Sequence, residues 1–219
     1  FAYAVMLNHA SADLEYNSTS ALALNNGTVQ DLAGNNVSLT LPTVGETGSL
    51  ATNKALVIDG VYATVDSVSA TTANGYYKAG DTLDVTVHFD ENVNVTGSPQ
   101  LVLETGSNDA TVYYSSGSGS SILSFQYIAE EGHLNTDLEY VSALSLSLNN
   151  GLIRDIAGND ATLTLANPGE ASSLSANKAL VVDAISPSVI SVSSLESNGL
   201  YNIGDTLEIV VNFPEVVVV

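Results

Sequence analysis

The chain repeats itself. Asn149-Asn150-Gly151-Leu152-Ile153-Arg154-Asp155-Ile156-Ala157-Gly158-Asn159-Asp160 has an earlier copy in Asn25-Asn26-Gly27-Thr28-Val29-Gln30-Asp31-Leu32-Ala33-Gly34-Asn35-Asn36. The offset is 155 − 31 = 124 residues, and it holds without a gap. Phe1 aligns with Phe125, His9 with His133, Lys54 with Lys178, and Gly80-Asp81-Thr82-Leu83 with Gly204-Asp205-Thr206-Leu207. About half of the overlapping positions are identical, as in tandem units. A period of this length matches an ordinary domain, so each unit can bury its own core. The chain therefore divides into the back part of one unit (1–59), a whole unit (60–183) and the front part of a third (184–219). It reads as a window on a longer repetitive protein, or else as a subunit that completes its neighbours.

Composition narrows the class. Apolar residues make up 45%, too many for a disordered tail, yet Trp is absent and Met occurs once. Ser, Thr, Gly, Asn and small β-formers suit short strands joined by tight turns. The 24 acidic residues face 4 basic ones, a net charge of −20. Phosphate binding needs basic patches, so nucleic acid is an unsuitable partner, and an anionic membrane surface is disfavoured. Such a chain repels itself, and divalent cations would relieve the repulsion. There is no cysteine, and no apolar run long enough for a membrane span. No secretory leader is visible at the start.

Within 60–183 the apolar period is two. Leu83, Val85, Val87 and Phe89 share one face of a strand, as do Leu123, Phe125 and Tyr127. Leu101-Val102-Leu103, the stretch from Thr111 to Tyr114, Leu144/Leu146/Leu148, Leu163/Leu165 and Ala179-Leu180-Val181-Val182 are the other candidates. Gly, Asn, Ser and Asp punctuate them, and no segment sustains a helical period. Seven to nine short strands predict an all-β unit, an antiparallel sandwich with Greek-key connections. Cadherin-like and fibronectin-like sandwiches both fit that description. Pro187 in the short joint after Asp183 predicts a stiff connection with neighbouring units in contact.

Several motifs together resemble a bacterial immunoglobulin-like repeat. They are Tyr77-Lys78-Ala79-Gly80-Asp81-Thr82-Leu83, Val87-His88-Phe89-Asp90-Glu91-Asn92-Val93, Tyr114-Ser115-Ser116-Gly117-Ser118-Gly119-Ser120, Asp155-Ile156-Ala157-Gly158-Asn159 and Asn177-Lys178-Ala179-Leu180-Val181-Val182-Asp183. Repeats of this class occur in very large secreted surface proteins of Gram-negative bacteria, among them RTX-type adhesins, biofilm-associated proteins and a swimming-motility-associated repeat. The resemblance spans the whole chain; Asp90, where the family usually has Ser, and Pro214 depart from it. It implies tandem Ig-like repeats that bind calcium, act mechanically as an extender and reside outside the cell.

Calcium takes six to eight oxygen ligands. The turn carrying Asp155, Asn159 and Asp160 offers three oxygen side chains, and Asp31, Asn35 and Asn36 repeat the pattern. Asp59 and Asp183 sit at unit junctions, and Glu91 follows a strand. In an Ig-like sandwich alternate loops gather at one pole, where Asp59, Glu91 and the 155–160 turn would meet. The competing reading is that Asp-x-x-Gly-Asn is a turn whose Asp bonds its own backbone. Gly80-Asp81 and Gly204-Asp205 read as turn chemistry, and His88 as solvated on an outward strand face. His9 and His133 recur without Cys or a second nearby His, a poor basis for zinc. Lys54 and Lys178 suggest a buried Lys–carboxylate pair. No nucleophile elbow, phosphate loop or hydrolase motif is present, so no enzyme is expected.

Three roles follow as expectations. The first is a structural extender in contact with neighbouring repeats. The second is an adhesion module binding glycans or a protein on exposed Tyr76, Tyr113 and Tyr114. The third is a filament subunit, in which 184–219 of one chain supplies the front strands that 1–59 of another lacks. That joint would miss the equivalent of residues 96–124, and the window reading is the plainer one.

Overall fold

A computed structural model describes all 219 residues. Almost everything regular is β-structure, and the chain divides into two compact units. The smaller comprises residues 1–63 and 154–162, the larger 64–153 and 163–219.

In the smaller unit, β1 (Ala10–Ser11) pairs antiparallel with β2 (Ile58–Asp59). Between them lies α1 (Leu50–Asn53), one turn long. The Ser49 side chain caps it by accepting from the Thr52 N–H, which satisfies one orphan donor of the first turn. A helix this short shows no period, which is why the sequence did not reveal it.

The larger unit is organised on one long strand. Its strands begin with β3 (Val65–Ala70), β4 (Gly75–Tyr77), β5 (Thr82–Thr96), β6 (Gln100–Glu104), β7 (Ala110–Ser116) and β8 (Ser120–Ile128). Then come β9 (Leu134–Asn135), β10 (Glu139–Tyr140), β11 (Leu146–Ser147), β12 (Leu152–Asp155), whose last two residues are assigned to the smaller unit, the helical turn α2 (Leu174–Asn177) and β13 (Leu180–Asp183). An eight-stranded sheet runs β10-β6-β7-β8-β5-β12, with β11 on β6 and β3 on β5. A second sheet places β13 between β4, parallel, and β9, antiparallel. Bulges between Val65 and Ser67, and between His88 and Val93, bend the ladders of β5. The alternation predicted for β5 and β8 is realised: Leu83, Val85, Val87, Leu123 and Phe125 are fully buried, and Phe89 and Tyr127 nearly so. Thr64 holds the entry to β3 by donating its N–H and hydroxyl to Asp90, at 2.7 and 2.8 Å.

Two expected strands come out differently. Leu144 is exposed, because Ser142–Ser145 form a turn in which the Ser145 hydroxyl accepts from the Ser142 N–H, and only Leu146–Ser147 pair. Leu163 and Leu165 lie outside any strand, although Leu165 is buried.

The last strands are β14 (Ser191–Ser194) and β15 (Ile209–Asn212). Their register repeats that of β3 and β5 at the 124-residue offset: Val192 pairs with Val211 as Val68 pairs with Val87. Other local devices recur at the same offset. The Asn-Asn-Gly turns place Asn25 and Asn26 at φ 44 and 65, and Asn149 and Asn150 at φ 45 and 61. The α1 cap Ser49 corresponds to the α2 cap Ser173.

One glycine is required by close approach. At Gly117 φ is +112, and an added Cβ would lie 2.0 Å from the Ile122 carbonyl oxygen. Gly117→Ala is expected to open the β7–β8 turn and destabilise the larger unit by about 2–3 kcal/mol, measured by urea unfolding.

Candidate functional site

Asp155 ends β12 and is buried. Its Oδ1 accepts from the Gly158 and Asn159 N–H groups at 2.7 and 2.8 Å, and its Oδ2 accepts from Asn159 Nδ2 at 2.7 Å. Gly158, at φ +98, supplies the left-handed position that closes this turn. Asn159 Nδ2 also reaches the carbonyls of Asp59 at 3.2 Å and Val61 at 3.3 Å. The turn is thereby tied to the strand end bearing Asp59, and the Asp59 and Asp155 carboxylates offer oxygens within 4.8 Å of each other. Two like charges this close repel, and a cation between them would relieve it. An all-oxygen donor set suits a hard divalent ion.

Asp31 builds the same turn in the earlier copy, accepting from the Ala33 and Asn35 N–H groups at 2.9 Å and from Asn35 Nδ2 at 2.8 Å. The Asn35 hydrogen bonds hold the Asp31 carboxyl below its ordinary pKa. Asn36 accepts from Gln30 Nε2 at 2.9 Å. Asp160 is paired with Arg154, Nε to Oδ1 2.6 Å. Asp183 and Glu91 belong to the larger unit: Asp183 accepts from the Ile185 N–H at 3.3 Å, and Glu91 is half-buried on β5. Asp59 accepts from the Val61 N–H at 3.1 Å in the way that Asp183 does from Ile185. Self-bonded Asp turns are thus visible in both copies.

Asp81 is a turn residue, accepting from the Lys78 N–H at 2.9 Å. His133 Nδ1 accepts from the Glu130 N–H at 3.1 Å and meets the Tyr127 hydroxyl at 2.9 Å, with the two rings stacked. Burial and the nearby Glu130 push the Tyr127 phenol up to about 12, so it stays a donor. His9 and Tyr3 form the same pair. His88 is half-buried, its Nε2 3.0 Å from the Thr86 hydroxyl. Lys54 and Lys178 do not form the expected buried ion pairs: Lys54 is exposed and Lys178 half-buried. Each ends its helical turn instead, its N–H donating to the carbonyl of Leu50 or Leu174. Tyr76 and Tyr113 are exposed, whereas Tyr114 packs edge-on against Phe125 and its hydroxyl accepts from the Ser118 N–H.

Sequence reasoning passed over Glu139. It is buried and accepts from the N–H groups of Tyr140, Gly169, Leu174 and Ser175 at 3.0–3.2 Å, and from the Ser175 hydroxyl at 2.7 Å. Glu15 does the same for Tyr16, Leu50 and Ala51. The available signal was the recurrence of Glu-Tyr at the 124-residue offset.

No protein-family model, curated protein or solved structure matches the chain. Its class rests on its own architecture: an all-β protein with two one-turn helices and several antiparallel sheets. No helix is long and apolar enough to cross a membrane.

Proposed function

We propose that this chain is a non-catalytic structural segment of tandem Ig-like β-sandwich repeats, an extender of an extracellular bacterial surface adhesin or fibre stiffened by calcium. The observation that supports the reading is the recurrence at one fixed offset of strand register, helix caps and Asp turns alike. Units whose internal devices repeat in this way work in series, and an acidic chain gains most from divalent cations. Asp59 and Asp155 are the proposed calcium carboxylates, with Asn159 holding the turn and Glu91 as the further carboxylate expected from sequence. Asp31, Asn35, Asp160 and Asp183 have no second carboxylate recorded close by and are the weaker candidates.

Calcium binding to the folded state stabilises it by mass action, by about 2.7 kcal/mol at a hundredfold excess over Kd, and so raises the unfolding midpoint. The expected result is a higher midpoint in calcium than in chelator, with Asp59→Asn and Glu91→Gln removing the increment and leaving the chelated midpoint near that of the parent. Equal midpoints in calcium and chelator would reduce these turns to turns.

A further inference from the structure

The larger unit carries a polar groove that neither the core nor the Asp turns explain. Its volume is about 530 Å³, in the range of small-molecule sites. All its lining residues fall between Asn108 and His133, on β7, β8 and the turns beside them. Val112 and Phe125 point into the core, so Thr111 and Tyr113 on β7 and Gln126 and Ile128 on β8 face outward. Tyr113 stands opposite Gln126 on one side and Gln100 of β6 on the other, which sets its ring between two primary amides.

The Tyr113 ring is 51% exposed and offers an apolar face. Gln126 both donates and accepts, and neither its amide nor the Tyr113 hydroxyl has a side-chain partner within the chain. His133 Nδ1 accepts from the Glu130 N–H at 3.1 Å, so the ring proton sits on Nε2, which has no acceptor within the chain. Asp109 and Glu130 add carboxylate acceptors, and no Lys or Arg lines the groove. An anionic ligand is therefore repelled. A cationic ligand would meet the His133 and Gln126 donors as well as the carboxylates. Sugar hydroxyls donate and accept at once, and the C–H face of a sugar ring packs on an aromatic face.

The 124-residue repeat separates what the fold uses from what the groove adds. Phe125, Tyr127 and His133 recur as Phe1, Tyr3 and His9, and the Tyr–His pair is rebuilt there. Gln126, Ile128 and Glu130 recur as Ala2, Ala4 and Met6. The polar lining is thus not a requirement of the strand or of the Tyr–His contact.

We infer that the outward face of β7 and β8 binds a neutral saccharide, with the Tyr113 ring against a sugar face and Gln126, His133 and Asp109 on its hydroxyls. This goes beyond the extender role, because it gives the segment a ligand of its own. Of the three tyrosines expected to bind a ligand, Tyr113 alone lines this groove. Tyr114 packs on Phe125, and Tyr76 lies on β4 in the other sheet.

The test is isothermal titration of the 219-residue chain with soluble fragments of glucan, galactan and mannan, in chelator throughout so that the result is independent of the calcium proposal. Saturable binding of at least one of these saccharides is expected. Tyr113→Ala is expected to weaken it by more than about tenfold and Tyr113→Phe to keep most of it, because the ring supplies the stacking surface. Gln126→Ala combined with Glu130→Met installs the side chains of the earlier copy, and is expected to weaken binding while the urea midpoint stays close to that of the parent. No binding of any neutral saccharide, binding that survives Tyr113→Ala, or binding of a lysine-rich peptide in their place would each overturn the inference.

Discussion

Phe125→Ala is expected to destabilise the larger unit by about 3–5 kcal/mol, while Phe1→Ala at the equivalent position changes unfolding by less than about 0.5 kcal/mol. The sequences around the two are related, and the difference lies in what covers the ring. Phe125 sits on β8, paired with Val85 of β5 and touched edge-on by Tyr114, with no exposed surface. Removing the ring forfeits its transfer free energy and leaves a cavity that the rigid ladder closes only in part. Phe1 is fully exposed, so its removal leaves no hole. Urea unfolding of both variants reads the contrast. Equal losses would mean that the smaller unit has a closed core of its own.

Glu139→Ala is expected to cost on the order of 3–4 kcal/mol, because it orphans N–H donors at the start of α2 and at Gly169 in a buried place. Burial pushes the Glu139 carboxyl up, but hydrogen bonds from the Ser175 and Ser173 hydroxyls and from the Tyr140 and Ser175 N–H groups outweigh it. The net result is a pKa below the ordinary value. The folded pKa is therefore lower than the unfolded one. The contribution is fully present above the unfolded value of about 4.3 and is lost as pH falls through the folded pKa. Wild type and Glu139→Ala should thus differ most at neutral pH and converge in acid. A difference that held constant down to pH 2 would show that the carboxylate charge is not what the N–H groups require.

The alternation of Leu83, Val85, Val87 and Phe89 was legible because one face of a strand repeats every two residues wherever it is half-buried. The Leu144 series misled for the opposite reason. Two apolar residues spaced by two also occur in a turn, and the Ser142–Ser145 hydrogen bonds that decide it are not periodic. The Asp turns were legible as Asp-x-x-Gly-Asn, since Gly permits the positive φ and Asp bonds the N–H groups that follow. The approach of Asp59 to Asp155 was only an expectation, because it spans 155 − 59 = 96 residues of chain and depends on where Asn159 points.

By itself the sequence determined the 124-residue period, the β class, the turn positions and the acidic surface, all of which follow from local spacing and composition. Only the tertiary structure decided which copies of the same residue are buried. Val68 and Val192 have the same local strand environment, and Val68 is core where α2 packs against β3. Burial is a property of the neighbours a residue is given, and no local pattern records whether those neighbours are present.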